Sequence, residues 1–279
     1  MSDNNYSTNN QHQGNDKLFS TENSTQNSEP VSQNSDKRCS KGLLPSSCNT
    51  CSLSNLCLPI AVTQNDISQL EDIIKQGKII DRGEHIFSEH TPFRSCFAVR
   101  SGSIKTYVVS EEGEEQVTGF YLPGEIIGMD SMNTDAYSCS AKALEKSSVC
   151  EIPFDRFETL ATQIPTLQHH FFQLMSKEIK ESRQLSMLLS KNTAEERIAS
   201  LLLSLSERFK RRKLSPTQFR LPMPRNDIGN YLGLAVETVS RVFTRFQKSG
   251  LITVQGREVT INDLDKLKDM LKHQTKCLS

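Results

Sequence analysis

The sequence predicts an α+β chain: an antiparallel β-domain, one long helix, and a C-terminal winged helix-turn-helix. Three observations carry this. Short apolar runs separated by glycine turns fill residues 78–152, as in a barrel, roll or sandwich. A stretch with helical periodicity runs from Pro165 to about Ser190. Two short helical segments then flank Gly233, ahead of two short apolar strands, the pattern of a winged helix-turn-helix.

Taken in order, residues 1–38 form a polar tail. Asn, Ser, Thr and Gln fill 22 of those 38 positions, too few apolar groups to offset the entropy of ordering, so disorder is expected there. Residues 39–62 form a cysteine segment with little periodicity, the kind of loop a metal has to hold. Residues 63–160 begin with a short helix over Thr63–Gln76, for which Gly77 is the expected stop. The apolar runs follow, at Ile79-Ile80, His85–Phe87, Cys96–Val99, Ile104–Val109, Gln116–Tyr121, Glu125–Gly128, Cys139–Ala143 and Ser148–Ile152. A helical lead-in over Pro153–Leu160 closes this part.

Residues 161–190 carry the long helix, and two apolar faces are legible on it. Phe172, Met175, Ile179, Ser182, Ser186 and Leu189 form a seam suited to a second copy of the chain. Leu167, Phe171, Leu174, Leu185 and Leu188 suit its own β-domain. Serines in the seam, with Glu178 and Glu181 close by, predict a weak dimer.

Residues 191–279 are the basic end. From Lys191 to Asn262, thirteen Lys or Arg stand against six Asp or Glu, a surplus of seven on a chain of zero net charge, which suits a polyanion partner. Thr193 and Glu196 make a capping box. The Arg211-Arg212-Lys213 run reads as a solvated turn. A short helix capped by Asn226 or Asp227 leads to Gly233-Leu234-Ala235, and a second runs from Val236 to Lys248. Glu237, Ser240 and Arg241 begin its polar face, with Val236 and Thr238 beside them. Arg241 can bridge guanine O6 and N7, Glu237 can accept from a cytosine amine, and Ser240 can do either. The bland alternative is a Glu237–Arg241 pair that supports its own helix.

Cysteines supply the other chemistry. Cys48, Cys51 and Cys57 follow a C-x2-C-x5-C spacing. Three thiolates are one short of a zinc site or an iron–sulfur cluster, and Cys150, at the end of the last apolar run, is the candidate fourth. Cys39 reads as a spare thiol. The chain has no apolar run long enough to span a membrane and no signal-peptide pattern, so a cytoplasmic protein with unpaired thiols is expected. No nucleophile–base pair, G-x-x-x-x-G-K or H-E-x-x-H is found, so no enzyme is expected.

Together, the four cysteines, Ala143-Leu144-Glu145, Val149–Phe154, Leu188–Lys191, Ala194–Arg197, Asp227–Leu234 and Glu237–Arg241 closely resemble the oxygen-sensing regulators of the CRP/FNR superfamily over residues 45–262. The resemblance implies that Cys48, Cys51, Cys57 and Cys150 ligate a [4Fe–4S] cluster. It implies a double-stranded β-roll of the cyclic-nucleotide-binding kind and a homodimer through residues 165–190. Glu237, Ser240 and Arg241 would read a TTGAT-N4-ATCAA-like palindrome in double-stranded DNA, and the acidic Glu111–Glu115 hairpin would touch RNA polymerase. Oxygen would attack the cluster, loosen the 39–60 segment and weaken the dimer, with Ser52 and Leu56 tuning oxygen access beside Cys51 and Cys57. The alternative is a zinc-stabilised regulator with the same fold and no sensing. One departure matters: Tyr137–Ala141 lacks the arginine that holds a cyclic phosphate in such relatives, so no cyclic nucleotide is expected.

Overall fold

A computed structural model describes residues 47–271 other than residue 64. The expectations for residues 1–38 and Cys39 lie outside them. The chain opens with turns over residues 48–57 and a short 3-10 helix, Leu58–Ala61. There follow α1 (Ile67–Ile73), β1 (Lys75–Ile80), β2 (His85–Phe87), β3 (Ser95–Ser101), β4 (Ile104–Val109), β5 (Glu115–Tyr121), β6 (Ile126–Ile127), β7 (Ser140–Ala143) and β8 (Ser147–Pro153). Two four-stranded antiparallel sheets result, ordered β1-β8-β3-β6 and β2-β7-β4-β5. Each of the eight apolar runs is a strand, because each alternates or fills a face that the opposite sheet buries.

Ile80, Phe87, Val99, Ile104, Tyr137 and Val149 pack in the roll. The rings of Phe87 and Tyr137 stack 4.0 Å apart, and Phe93 meets Tyr137 edge-on at 5.3 Å. The Tyr137 hydroxyl donates to the Ser95 carbonyl at 2.7 Å, so its polar end is satisfied inside an apolar core.

α2 (Phe154–Gln163) leads into α3 (Pro165–Lys191), the long helix, which proline opens at its first position, where no hydrogen bond is lost. Asn192 breaks it with an extended backbone. α4 (Ala194–Arg211) starts on the Thr193–Glu196 capping box, with both reciprocal bonds made. Beyond it come β9 (Gln218–Arg220), α5 (Arg225–Leu232), α6 (Val236–Lys248), β10 (Ile252–Gln255), β11 (Glu258–Ile261) and α7 (Leu264–Asp269). β9 adds a third strand to the wing, ordered β10-β11-β9.

Four local expectations are corrected. The first helix covers only Ile67–Ile73, and Gly77 lies inside β1. A Cβ there would stand 3.4 Å from the Val149 carbonyl of the paired strand, an ordinary contact, so the strand accepts glycine at this position without requiring it. Neither Asn226 nor Asp227 caps α5. Pro224 precedes it, and Asp227 is buried in its first turn. Arg212 is not solvated: its side chain is 7% exposed and bonded to Glu125 and the Pro123 carbonyl. The cysteine segment is held by packing as well, since Leu58 and Pro59 are buried.

Candidate functional site

Cys150 sits in β8, a central strand, opposite Ala98 of β3, so the sheet fixes it. Cys48, Cys51 and Cys57 sit on successive turns closed by Cys51 N–H to Cys48 O (3.3 Å), Ser54 N–H to Cys51 O (3.1 Å) and Cys57 N–H to Leu53 O (3.0 Å). Glu71 of α1 anchors the start of these turns, accepting from the Ser47 hydroxyl at 2.7 Å and the Asn49 N–H at 3.0 Å. Leu56 lies on Gly124. That glycine has φ of 89°, and a Cβ there would come within 2.9 Å of Leu56, so only glycine lets the turn lie down.

The four thiols are partly buried. Burial pushes Cys48 up to about 12, and the neighbouring Cys150, Glu71 and Cys51 add to this. Burial also lifts Cys57 to about 12, opposed by the Leu58 N–H and reinforced by Cys150, Cys48 and Cys51. Cys150 is raised by burial, with the Arg100 guanidinium pulling the other way. The thiols are therefore electrostatic neighbours, with one cation beside them. Among the described residues, no three His, Cys, Asp or Glu side chains stand so as to hold a single metal ion. The remaining described thiols lie elsewhere: Cys96 donates to the Gly128 carbonyl and Cys139 to Asp130, both at 3.6 Å.

The cysteine segment is continuous with the long helix. Leu58, Leu70, Cys96, Ile126, Ile152, Phe157, Leu167 and Phe171 form one apolar cluster, with Cys57, Cys150, Leu174 and Met175 at its margin. Full burial of a Leu or Phe side chain contributes roughly 1.5–3 kcal/mol, so this cluster ties the turns to α3 without any metal. On α3 itself, Phe172 and Ile179 are 58% and 51% exposed, and Ser182 and Ser186 are exposed too. Met175 and Leu189 differ from the predicted seam. Met175 packs on the chain's own core, and Leu189 is half-buried close to Gly233. Met187, at 49% exposure, joins the open face instead.

In the helix-turn-helix, Gly233 takes φ of 61°, the left-handed turn that reverses the chain between α5 and α6. Val239, Val242, Phe243 and Phe246 are buried. Val236, Glu237, Ser240 and Arg241 are exposed on the other side and Thr238 is half-buried. No Glu237–Arg241 ion pair forms among the described residues, while the Ser240 hydroxyl donates to the Val236 carbonyl at 2.9 Å. Glu237 and Arg241 thus present a free acceptor and a free donor.

Residues that sequence reasoning missed join these parts. Arg197 of α4 donates to the carbonyls of Leu189 (2.7 Å), Asn192 (3.0 Å) and Leu232 (2.9 Å), bridging the end of α3 to the helix-turn-helix turn. Lys105 of β4 is buried between Glu115 (2.8 Å) and Asp227 (3.2 Å). Arg208 of α4 and Arg212, which caps that helix, both hold Glu125. The sequence signal was a lysine, Lys105, inside an otherwise apolar strand.

Comparison with known proteins accords with this geometry. The sequence matches a cyclic nucleotide-binding domain over residues 78–163 and a Crp-like helix-turn-helix domain over residues 196–270. The transcriptional activator protein anr of Pseudomonas aeruginosa is 53% identical over 216 residues, 77% of this chain and 88% of that protein. The fumarate and nitrate reduction regulatory protein of Escherichia coli K12 is 44% identical over 226 residues, 81% of this chain and 90% of that one. Among solved structures, FixK2 from Bradyrhizobium japonicum aligns with a TM-score of 0.65 at 26% identity, covering 70% of this chain and 96% of that one. The β-roll, the long helix and the winged helix-turn-helix are thus those of a DNA-binding transcription regulator rather than an enzyme, and the chain belongs to the CRP/FNR family.

Proposed function

We propose that the chain is an oxygen-responsive, cytoplasmic regulator that binds palindromic DNA as a homodimer when a [4Fe–4S] cluster is in place. The observation that carries this is the shared apolar cluster: Cys57 and Cys150 lie at its margin, and Leu167 and Phe171 of α3 lie inside it. Four soft thiols with Arg100 nearby suit a cluster whose thiolate-bound state is anionic.

When bound, the cluster supplies an oxygen-labile cross-link among Cys48, Cys51, Cys57 and Cys150. The protein does the rest. Leu58 and Pro59 seat the cysteine turns beneath α3, and α3 offers Phe172, Ile179 and Ser186 to a second copy. Two copies set their α6 helices about 34 Å apart, one turn of DNA. Glu237, Ser240 and Arg241, flanked by Val236 and Thr238, then read each half of a TTGAT-N4-ATCAA-like site. Loss of the cross-link would leave the turns held by the packing of Leu58 and Pro59 alone, and so loosen the support under α3. Two features support the reading that no cyclic nucleotide is needed: Phe87 and Tyr137 fill the roll, and Glu125 is committed to Arg208 and Arg212. Contact with RNA polymerase through the acidic residues 111–115 is part of the same reading.

One experiment decides. Protein purified without air is assayed for visible absorbance, iron and acid-labile sulfide, then exposed to air while DNA binding is followed on the same sample. Brown protein that loses colour and DNA affinity together supports the proposal. Colourless protein holding zinc, with DNA affinity indifferent to air, overturns it in favour of a zinc-stabilised regulator.

A further inference from the structure

The helix-turn-helix is held by more than its chain connection at Asn192. β5 is an edge strand, last in the order β2-β7-β4-β5, so one row of its backbone groups has no strand partner. Asn230 of α5 supplies one. Its side-chain oxygen accepts from the Val117 N–H at 2.5 Å, and its amide nitrogen donates to the Glu115 carbonyl at 2.5 Å. Gln116 Nε2 donates in return to the Asn230 carbonyl at 3.0 Å. One side-chain amide does for this edge what a further strand would do. The β4–β5 ladder slips between Thr106 and Tyr107, which pair with Gly119 and Val117, leaving Thr118 as a bulge beside the clamp.

Charge and packing reinforce the contact. Lys105 reaches from β4 to Asp227, one turn before Asn230, and to Glu115. Burial opposes its charge, but Glu115 and Asp227 outweigh that and keep it protonated. Phe120 meets Tyr231 edge-on at 5.1 Å. Val117, Phe120 and Leu122 share one buried cluster with Ile228, Leu232 and Val239. Among the described residues none of these groups is on the exposed face of α6, so the contact fixes the reading face without covering it.

We propose that Asn230 and the Lys105–Asp227 pair are positioning residues for DNA binding. They hold the recognition helix in one orientation on its own β-roll, and hence at a set distance from the recognition helix of the second copy. This rests on the two-half-site reading above. Two tethered readers gain from acting together only when their geometry matches the site. A helix-turn-helix that swings must be ordered at each binding event, which costs affinity for the palindrome and not for arbitrary DNA.

The test uses the full-length protein, prepared without air. Affinity is measured over a range of salt for a duplex carrying TTGAT-N4-ATCAA and for a scrambled duplex of equal length, with amide hydrogen exchange at Val117 read alongside. Asn230→Ala and Asp227→Asn should each weaken palindrome binding about tenfold, leave the scrambled duplex and the salt slope unchanged, and speed exchange at Val117. Asn230→Asp, which keeps the acceptor for Val117 and loses the donor to Glu115, is the milder variant should Asn230→Ala unfold, and it should give a smaller loss of the same kind. Equal losses on both duplexes, or a salt slope reduced by about one, would mark a direct phosphate contact and overturn the proposal. So would faster exchange at Val117 with palindrome affinity intact. An unaltered chain that binds both duplexes alike sinks the half-site reading and this proposal with it. An unaltered chain that discriminates, with an Asn230→Ala variant that discriminates equally, sinks the positioning role alone.

Discussion

Arg212, at the C-terminal end of α4, donates to Glu125 at 2.8 Å across a sequence separation of 87 residues, and Arg208, one turn earlier, grips the same carboxylate. All three side chains are largely buried. Burial alone would raise the Glu125 carboxyl, but Arg208 and then Arg212 outweigh it and hold it at about 2. A carboxylate depressed on folding contributes stability that is present above its unfolded value, near 4.5, and lost as pH falls through about 2. The shift corresponds to about 3 kcal/mol. Urea unfolding between pH 6 and pH 3 should therefore show a steep loss in the unaltered protein. Glu125→Gln should lower stability at pH 6 by about 3 kcal/mol, because two guanidiniums are left without their charge partner, and should flatten the acid limb. Parallel acid limbs in the two proteins would rule out this pair as the source.

The thiols divide into two sets by surroundings. Cys150 neighbours the cysteine turns, whereas Cys139 contacts Asp130 and Cys96 contacts the Gly128 carbonyl. Cys150→Ser should give folded protein with almost no iron and no visible absorbance after anaerobic purification. Cys96→Ser and Cys139→Ser should keep both, at a modest cost in stability. Retention of iron by Cys150→Ser would remove it from the ligand set.

On α6, Arg241 is exposed with no ion pair to Glu237, so its removal does not unpair an internal charge. Arg241→Ala should weaken palindrome binding by about 1–3 kcal/mol and relax discrimination at one base position of each half-site. Its thermal midpoint should stay within a degree or two, since surface changes alter stability by about 0.5 kcal/mol or less. Binding to a set of single-base variants checks this. Uniform weakening on every sequence would make Arg241 a phosphate contact.

What could be read in advance follows from the range of the forces. Period-two runs with glycine turns marked eight strands because each strand's faces are decided locally by burial. The turn at Gly233 was legible because a left-handed residue favours glycine. The Thr193–Glu196 capping box was legible because its partners are three residues apart. Asp227 and Arg212 were misread for the opposite reason. Their partners, Lys105 and Glu125, lie far away in sequence, and nothing near each residue records them. The cysteine spacing announced a ligand set, yet the packing of Leu58 against the neighbours of Leu167 had no local signature.

The open face of α3 gives the last prediction. Phe172 and Ile179 are more than half exposed, and Ser186 continues their side of the helix. Ser182, though exposed, borders the groove between α3 and α4 that Leu185 and Arg208 also line, which turns it partly toward its own chain. An isoleucine fully buried between two copies contributes roughly 1.5–3 kcal/mol relative to an exposed one, less the entropy of fixing it. Ser186→Ile should therefore tighten self-association by about tenfold or more even after the protein has been exposed to air. Ser182→Ile should do so by less. Sedimentation equilibrium on air-exposed protein measures both. An unchanged dissociation constant for Ser186→Ile would mean that this face does not meet a second copy, and the dimer would then have to be sought on another surface of the chain.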